Sequence, residues 1–330
     1  MNLTVRLPAR VVAATLLTAI ALLACTGSPA PPVTLRIGIY QAQDYLPYYV
    51  MREQGFDKKN GLTFIESPVA GGAAAIDALA AGAMDMSMSG FVPLLVVAER
   101  GLVEGKVVAV AANNYADPEH PGIGVLANHT IKAWRDLEGK QIGTNAMNSN
   151  LTIAGEARLK QEGIRTYSWV VIPLSNLGLA VAGGNVAAAA MAEPYLTQSL
   201  IRRDGELLGW IVGGPPLDNT ENTTILFSAD YRNRNPQGVK AYLRAHLEAV
   251  RWMNEHPAEV RLVLARHMNL SPDVATKIHL MRWPLDARSD PALRDQTQQV
   301  LLQAGQMQRA VDTRRLYDET LLAEVLKESR

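Results

Sequence analysis

The feature that most constrains this chain is an alternation of strand and helix at short spacing. Val33–Tyr40, VTLRIGIY, reads as a strand, PYYVMREQGF as a helix ending near Gly55, and LTFIES as a second strand. GGAAAIDALAAG then reads as a helix opened by Gly71-Gly72 and stopped at Gly82. MDMSMS, FVPLLVVAERG and KVVAVAANN continue as strand, helix, strand. Strands separated by single helices imply parallel βαβ units.

From about Pro118 the alternation starts again. GIGVLA is a strand, IKAWRDLEG a short helix, KQIGTNA a strand and LTIAGEARLKQEG an amphipathic helix ending at Gly163. SWVVIPL, SNLGLAVAGG and VAAAAMAEPY follow as strand, helix and buried strand, and LGWIVGG and TTILFSADY lead back to a C-terminal third that is mostly helical. There, Asn235-Pro236 sets a cap before a first-turn proline. Val239, Tyr242, Leu243, His246, Leu247, Val250 and Met253 then recur at helical spacing. His246 on that stripe reads as a hydrogen-bonded core residue. The expected class is α/β, with two passages alike in pattern but without a strict period.

A chain of 330 residues suffices for two domains or lobes. Acids and bases balance at 32 each, and the bases form no arm or stripe, so no field points to nucleic acid.

The N-terminus differs from the rest. Arg6 and Arg10 precede the apolar run Val11–Leu23, too short to span a bilayer as a mature helix, and the run closes on Leu22-Leu23-Ala24-Cys25. A basic start, an apolar stretch and a small residue before a cut form an export signal over residues 1–24. A cysteine right after the small residue gives the look of a bacterial lipoprotein signal, with Cys25 as the lipidation site. Leu23 is untypical for its place in such a signal, and an ordinary signal with an incidental cysteine is the alternative. Cys25 is the only cysteine, so it has no partner within the chain. Cleavage before it would leave 30 bases against 32 acids. Residues 25–33, containing TGSPAPP, read as the lipidated cysteine and a tether. The expected location is outside the cytoplasm, on the face of a membrane held through the N-terminal lipid.

In open α/β sheets ligands sit beyond the carboxyl ends of the strands. Those ends are polar here. The first carries Gln43, Asp44 and Tyr45, the second leads to Gly71 and Gly72, the third ends at Ser89 and Gly90, and the fourth at Asn114. In the second passage the ends carry Asn145, Ser149 and Asn150, and then Glu193 and Tyr195. Small polar residues at the tip of a buried strand such as MSMSG do little for a core. They suit a cleft where backbone and hydroxyls reach a ligand. Gly71-Gly72 and Ser149-Asn150 each open a helix, whose free N–H groups favour a polar guest. Simple N-capping accounts for Ser149 and Asn150 equally well, and the two roles are compatible.

Four stretches in order, RIGIY with YLPYYVMREQGFDKKNGLTFIE, then GGAAAIDALAAGAMDMSMSG, DLEGKQIGTNAMNSN and NVAAAAMAEPY, resemble the solute-binding proteins of ABC importers. The branch is the one for nitrate, sulfonates, taurine and thiamine-precursor pyrimidines. The resemblance implies a two-lobed type II periplasmic-binding fold, each lobe a mostly parallel sheet flanked by helices, with a helical C-terminus. It implies lobe I over 34–117 and 225–330, lobe II over 118–224, crossovers after Asn114 and near Gly213-Gly214, and closure by a hinge. It also implies a monomer that is no enzyme, uses no cofactor or metal, binds a small molecule and delivers it to permease and ATPase subunits.

Charge types at the strand ends bear on the ligand. Asp44 and Glu193 are acidic, and no Arg or Lys occurs among these positions. A sulfonate or nitrate site would normally use a cationic side chain, although helix ends can suffice. Two carboxylates with Tyr40, Tyr45, Tyr115 and Tyr195 suit a flat ring bearing N–H donors, so a thiamine-precursor pyrimidine or a flavin is the expected guest. An alkanesulfonate, taurine or nitrate is the alternative. For Glu193 a structural role, paired with Arg202 or Arg203, is also open. An enzyme of the same fold acting on a small heterocycle is the rival class. Against it, the glycines of GIGVLA fall within a strand, no G-x-S-x-G is present, and the six histidines show no metal-ligand spacing. A lipoprotein that binds other proteins is the third.

Overall fold

The structure, a computed structural model, describes residues 32–328. The expected export signal, Cys25 and the expected tether up to residue 31 lie outside the described residues.

The first lobe opens with β1 (Val33–Ile39), a single 3₁₀ turn at Gln43–Tyr45, α1 (Leu46–Glu53) and the short α2 (Phe56–Lys59). β2 (Leu62–Pro68), α3 (Gly72–Ala80), β3 (Met86–Gly90), α4 (Phe91–Glu99) and β4 (Val107–Ala116) complete it. Val33, expected in the tether, instead belongs to β1, where it pairs with Leu62. Gly82 ends α3 with φ 71°, where its N–H reaches Leu79 O; a β-carbon would be strained there. Asp85 stands at the start of β3, remote from the strand's tip, and pairs with Arg36 at 2.7 Å.

The chain then crosses to the second lobe. β5 (Ile123–Ala127), β6 (Lys140–Thr144), α5 (Asn150–Gln161), β7 (Tyr167–Val171), α6 (Leu177–Ala182), β8 (Ala188–Ala192), α7 (Tyr195–Arg202) and β9 (Glu206–Val212) build it. The helix expected in IKAWRDLEG is one 3₁₀ turn, Trp134–Leu137. β8 is almost all alanine, a helix former, yet it is a central strand with Ala188, Ala189 and Ala190 fully buried. Tertiary burial overrides propensity here, and the small side chains let α6 and α7 approach the sheet.

β10 (Thr220–Ser228) returns to the first lobe, followed by α8 (Ala229–Arg234), α9 (Pro236–Glu255), α10 (Pro257–Met268), α11 (Pro272–Lys277), α12 (Pro291–Gln303) and α13 (Thr320–Glu328). The expected return at 225 falls inside β10, which pairs with β4 from Thr220 onward. Its first three residues, Thr-Glu-Asn, are polar and hid the strand, although all nine of its residues are buried. Asn235 caps α9 by accepting from Gly238 N at 3.0 Å, and the apolar stripe of α9 is buried as its spacing requires. Each such side chain contributes about 1.5–3 kcal/mol by leaving water.

The sheets have one layout. The first runs β2-β1-β3-β10-β4 and the second β7-β6-β8-β5-β9. Each holds one reversed strand, β10 in the first and β5 in the second, antiparallel to both of its neighbours. In each case it is the strand that has just arrived from the other lobe. Among the described residues no helix is long and apolar enough to cross a membrane.

Candidate functional site

The strand ends of the two sheets face one another, and between them lies a hollow of about 50 Å³. The first lobe gives it Tyr40 and Asp44 after β1, Gly71 and Gly72 at the start of α3, and Gly90 at the start of α4. From the second lobe come Asn145, just after β6, and Ser149 and Asn150 at the start of α5. Three helix N-termini from both lobes therefore converge on one space. The lobes touch there, because Asn150 Nδ2 donates to Asn222 Oδ1 at 2.8 Å.

Close approach explains the glycines. A β-carbon on Gly72 would lie 2.6 Å from Ser89 Oγ, and one on Gly90 would lie 3.0 Å from Asn150 Cγ in the opposite lobe. Ser149 caps α5: Thr152 N donates to its Oγ at 3.3 Å, while Ser149 N donates back to Thr152 Oγ1 at 3.0 Å. Capping is thus observed, on a residue that also lines the hollow.

Asp44 is the hub of the floor. Its Oδ1 accepts from Asn114 Nδ2 at 3.0 Å and Asn222 Nδ2 at 3.2 Å, and its Oδ2 accepts from Tyr40 OH at 3.3 Å. Burial raises its pKa above the ordinary carboxylate value, against the pull of the Asn114 and Tyr40 hydrogen bonds. Asn114 Oδ1 in turn accepts from Asn222 Nδ2 at 3.1 Å and Thr223 Oγ1 at 2.8 Å. Asn114 thus stands one layer behind the surface of the hollow.

The remaining expected residues sit elsewhere. Glu193 is fully buried and caps α7, accepting from Thr197 Oγ1 at 2.7 Å and Thr197 N at 3.1 Å, and from His279 N at 3.3 Å. Its pairing with Arg202 or Arg203 is not what forms: Arg202 pairs with Asp204 at 2.6 Å. Glu193 does not line the hollow that Asp44 lines. Tyr195 opens α7 half-buried, outside the lining. Tyr45 points into the core, its OH donating to Gly38 O at 2.7 Å and bonded to Ser87 Oγ at 3.0 Å. Gln43 reaches the C-terminal segment, donating to His279 O at 3.2 Å and accepting from Met281 N at 3.2 Å. Ser89 Oγ is buried behind Gly72 and has no partner among the described residues.

Asn222 and Thr223 were not expected here, yet both line the hollow. They begin β10. Because β10 runs against its neighbours, its first residues, not its last, reach the cleft.

A family profile described as the NMT1-like family matches residues 28–268. Among solved structures, the periplasmic nitrate-binding protein NrtA of Synechocystis PCC 6803 superposes with a TM-score of 0.73 at 17% identity, covering 91% of this chain and 90% of that one. The periplasmic aliphatic sulphonate binding protein SsuA of Escherichia coli gives 0.66 at 21%, covering 87% and 92%. The desulfurization enzyme DSZB gives 0.65 at 16%, covering 90% and 99%. At these identities the likeness carries the fold, a two-lobed periplasmic-binding fold. A search of curated proteins returns no significant match.

Proposed function

Since the chain belongs to the NMT1-like family, we propose that it is the extracytoplasmic solute-binding component of an ABC importer and that its cleft takes a small oxyanion of the sulfonate or nitrate class. The observation that supports this is the convergence of the N-termini of α3, α4 and α5 on one hollow. Their free N–H groups and dipoles favour negative charge without a cationic side chain. A ring bearing N–H donors would need the Asp44 and Glu193 carboxylates, with the tyrosines, to face it. Asp44 is instead engaged by the floor, and Glu193 by its own helix. Size agrees: 50 Å³ holds roughly three or four waters, comparable to a small oxyanion, whereas a flavin would force the lobes apart.

The nitrate- and sulphonate-binding neighbours favour the same class, and the enzyme DSZB marks the rival. Asp44 is the only titratable carboxylate on the lining, which includes no histidine or cysteine, so binding without chemistry is the better reading. We extend the proposal to hinge closure, to delivery to permease and ATPase subunits, and to anchoring through Cys25.

A thermal-shift panel on the chain from Thr26 onward tests the ligand class, since a ligand held only by the folded state raises the melting temperature. Alkanesulfonate, taurine or nitrate should raise it. A larger rise with an aminopyrimidine or riboflavin would overturn the oxyanion reading, and no rise with any of them would favour a protein-binding lipoprotein.

A further inference from the structure

A larger cavity than the cleft hollow lies on the hinge side of the molecule. It measures about 450 Å³, nine times the 50 Å³ between the lobes, and falls within the usual size of a small-molecule site. Its walls come from the first crossover, the junction of α9 with α10, and the segment from Ile278 to Trp283. Met253, Val260 and Leu280 make it apolar on one side, and Arg261 and Arg282 bring two guanidiniums against one carboxylate, Glu119.

Arg261 is the telling residue. It is half-buried, and its Nη1 donates to two backbone carbonyls, Ala275 O at 3.2 Å and Ile278 O at 2.6 Å. It enters no ion pair among the described residues, so a partly desolvated cation faces the cavity with no carboxylate in direct contact, Glu119 being the one carboxylate on the walls. Burial pushes its pKa below the ordinary guanidinium value, with Glu193 pulling the other way. Arg282 lies over the Tyr115 ring, 5.1 Å from its centroid, with its Nε 3.5 Å from Asp117 Oδ2. We propose that this cavity binds a small organic carboxylate, its apolar body against Leu280 and Val260 and its carboxylate taken by Arg261 and Arg282. A planar guanidinium matches a carboxylate in two parallel hydrogen bonds, and an unpaired one gains most from it.

The position couples the site to both lobes. Backbone N–H groups of the same segment bond to Glu193 in the second lobe, through His279, and to Gln43 in the first, through Met281. Arg282 N also donates to Tyr115 O at 3.0 Å, beside the first crossover. An occupant would brace the strip of chain that ties the lobes together. The proposal does not depend on what the cleft takes.

Benzoate is the probe, with benzamide as its uncharged isostere, in calorimetric titration of the chain from Thr26 onward. Benzoate should bind saturably and at least tenfold more tightly than benzamide. Arg261→Gln should weaken it at least tenfold, and Arg282→Gln and the cavity-blocking Leu280→Trp should weaken it too. These last two carry the test if Arg261→Gln fails to fold. Benzoate should also slow hydrogen exchange at the His279 and Met281 amides. Equal binding of benzamide, or binding indifferent to all three cavity variants, would overturn the site. Binding with unchanged exchange at the two amides would overturn its link to the lobes.

Discussion

Asn150 and Asn222 meet across the cleft, the amide of one lobe's helix start donating to the amide of the other lobe's reversed strand at 2.8 Å. The same Asn222 holds Asp44 and Asn114 with its own Nδ2. The contact that joins the lobes is thus continuous with the floor of the hollow. Asn150→Ala removes the bond from the second lobe and leaves the floor intact. A neutral hydrogen bond contributes about 1 kcal/mol, so ligand affinity should fall about fivefold with little change in unliganded stability. Titration calorimetry with the best ligand of the panel measures the first, and thermal unfolding the second. Unchanged affinity would show that the contact does not stabilise closure.

Gly90 offers a steric version of the same test. Its φ of −58° is available to any residue, so a side chain strains no backbone. A β-carbon would nevertheless press on Asn150 Cγ and Pro93 Cδ, each 3.0 Å away. Gly90→Val should prop the lobes apart, abolish cleft binding and raise the radius of gyration in X-ray scattering. A variant that still binds and scatters like wild type would mean the lobes meet elsewhere.

The alternation of elements was legible because each strand and helix carries its own period. So were the helix starts at Gly72, Ser149-Asn150 and Asn235-Pro236, since caps are local chemistry. Asn222 and Thr223 were not. The rule that ligands gather at carboxyl ends points to the wrong end of a strand that enters from the opposite lobe, and reversal is a property of topology. Glu193 misled for a related reason. A carboxylate just before a helix can serve its own backbone, and nothing in its neighbours distinguishes that from serving a ligand. His246 was placed correctly on the core stripe but read as hydrogen-bonded. Neither ring nitrogen has a partner among the described residues, because the ring packs against Tyr242.

That burial makes His246 a source of acid sensitivity. Its pKa drops from 6.5 to about 4 by burial. A folded pKa below the unfolded value means the folded state resists protonation. The cost is absent above pH 6.5 and grows as pH falls toward 4, reaching about 3 kcal/mol by the conversion of about 1.4 kcal/mol per pKa unit. His246→Leu should therefore gain stability over wild type progressively as the pH is lowered through this window. Urea unfolding at several pH values measures it, and a gain independent of pH would show that His246 does not titrate as described.

Glu221 tilts the same window the other way. It is fully buried in β10, accepting from Tyr317 OH at 2.6 Å and from Ser289 Oγ, with the Arg294 guanidinium 3.1 Å from that hydroxyl. Burial outweighs these partners and raises its pKa from 4.5 to about 7. A folded pKa above the unfolded value gives stability that is whole below pH 4.5 and is lost as pH rises toward 7, again about 3 kcal/mol in all. Between pH 4.5 and 6.5 the two buried groups oppose one another, so the wild type conceals both. Glu221→Gln keeps the shape of the side chain and removes its titration. Stability of that variant relative to wild type should rise with pH through this interval and level off above pH 7, the mirror of His246→Leu, and the double variant should show neither slope. A Glu221→Gln difference that stays flat from pH 5 to 8 would mean that the Glu221 carboxylate keeps its charge when buried, held by Ser289, Tyr317 and Arg294 together.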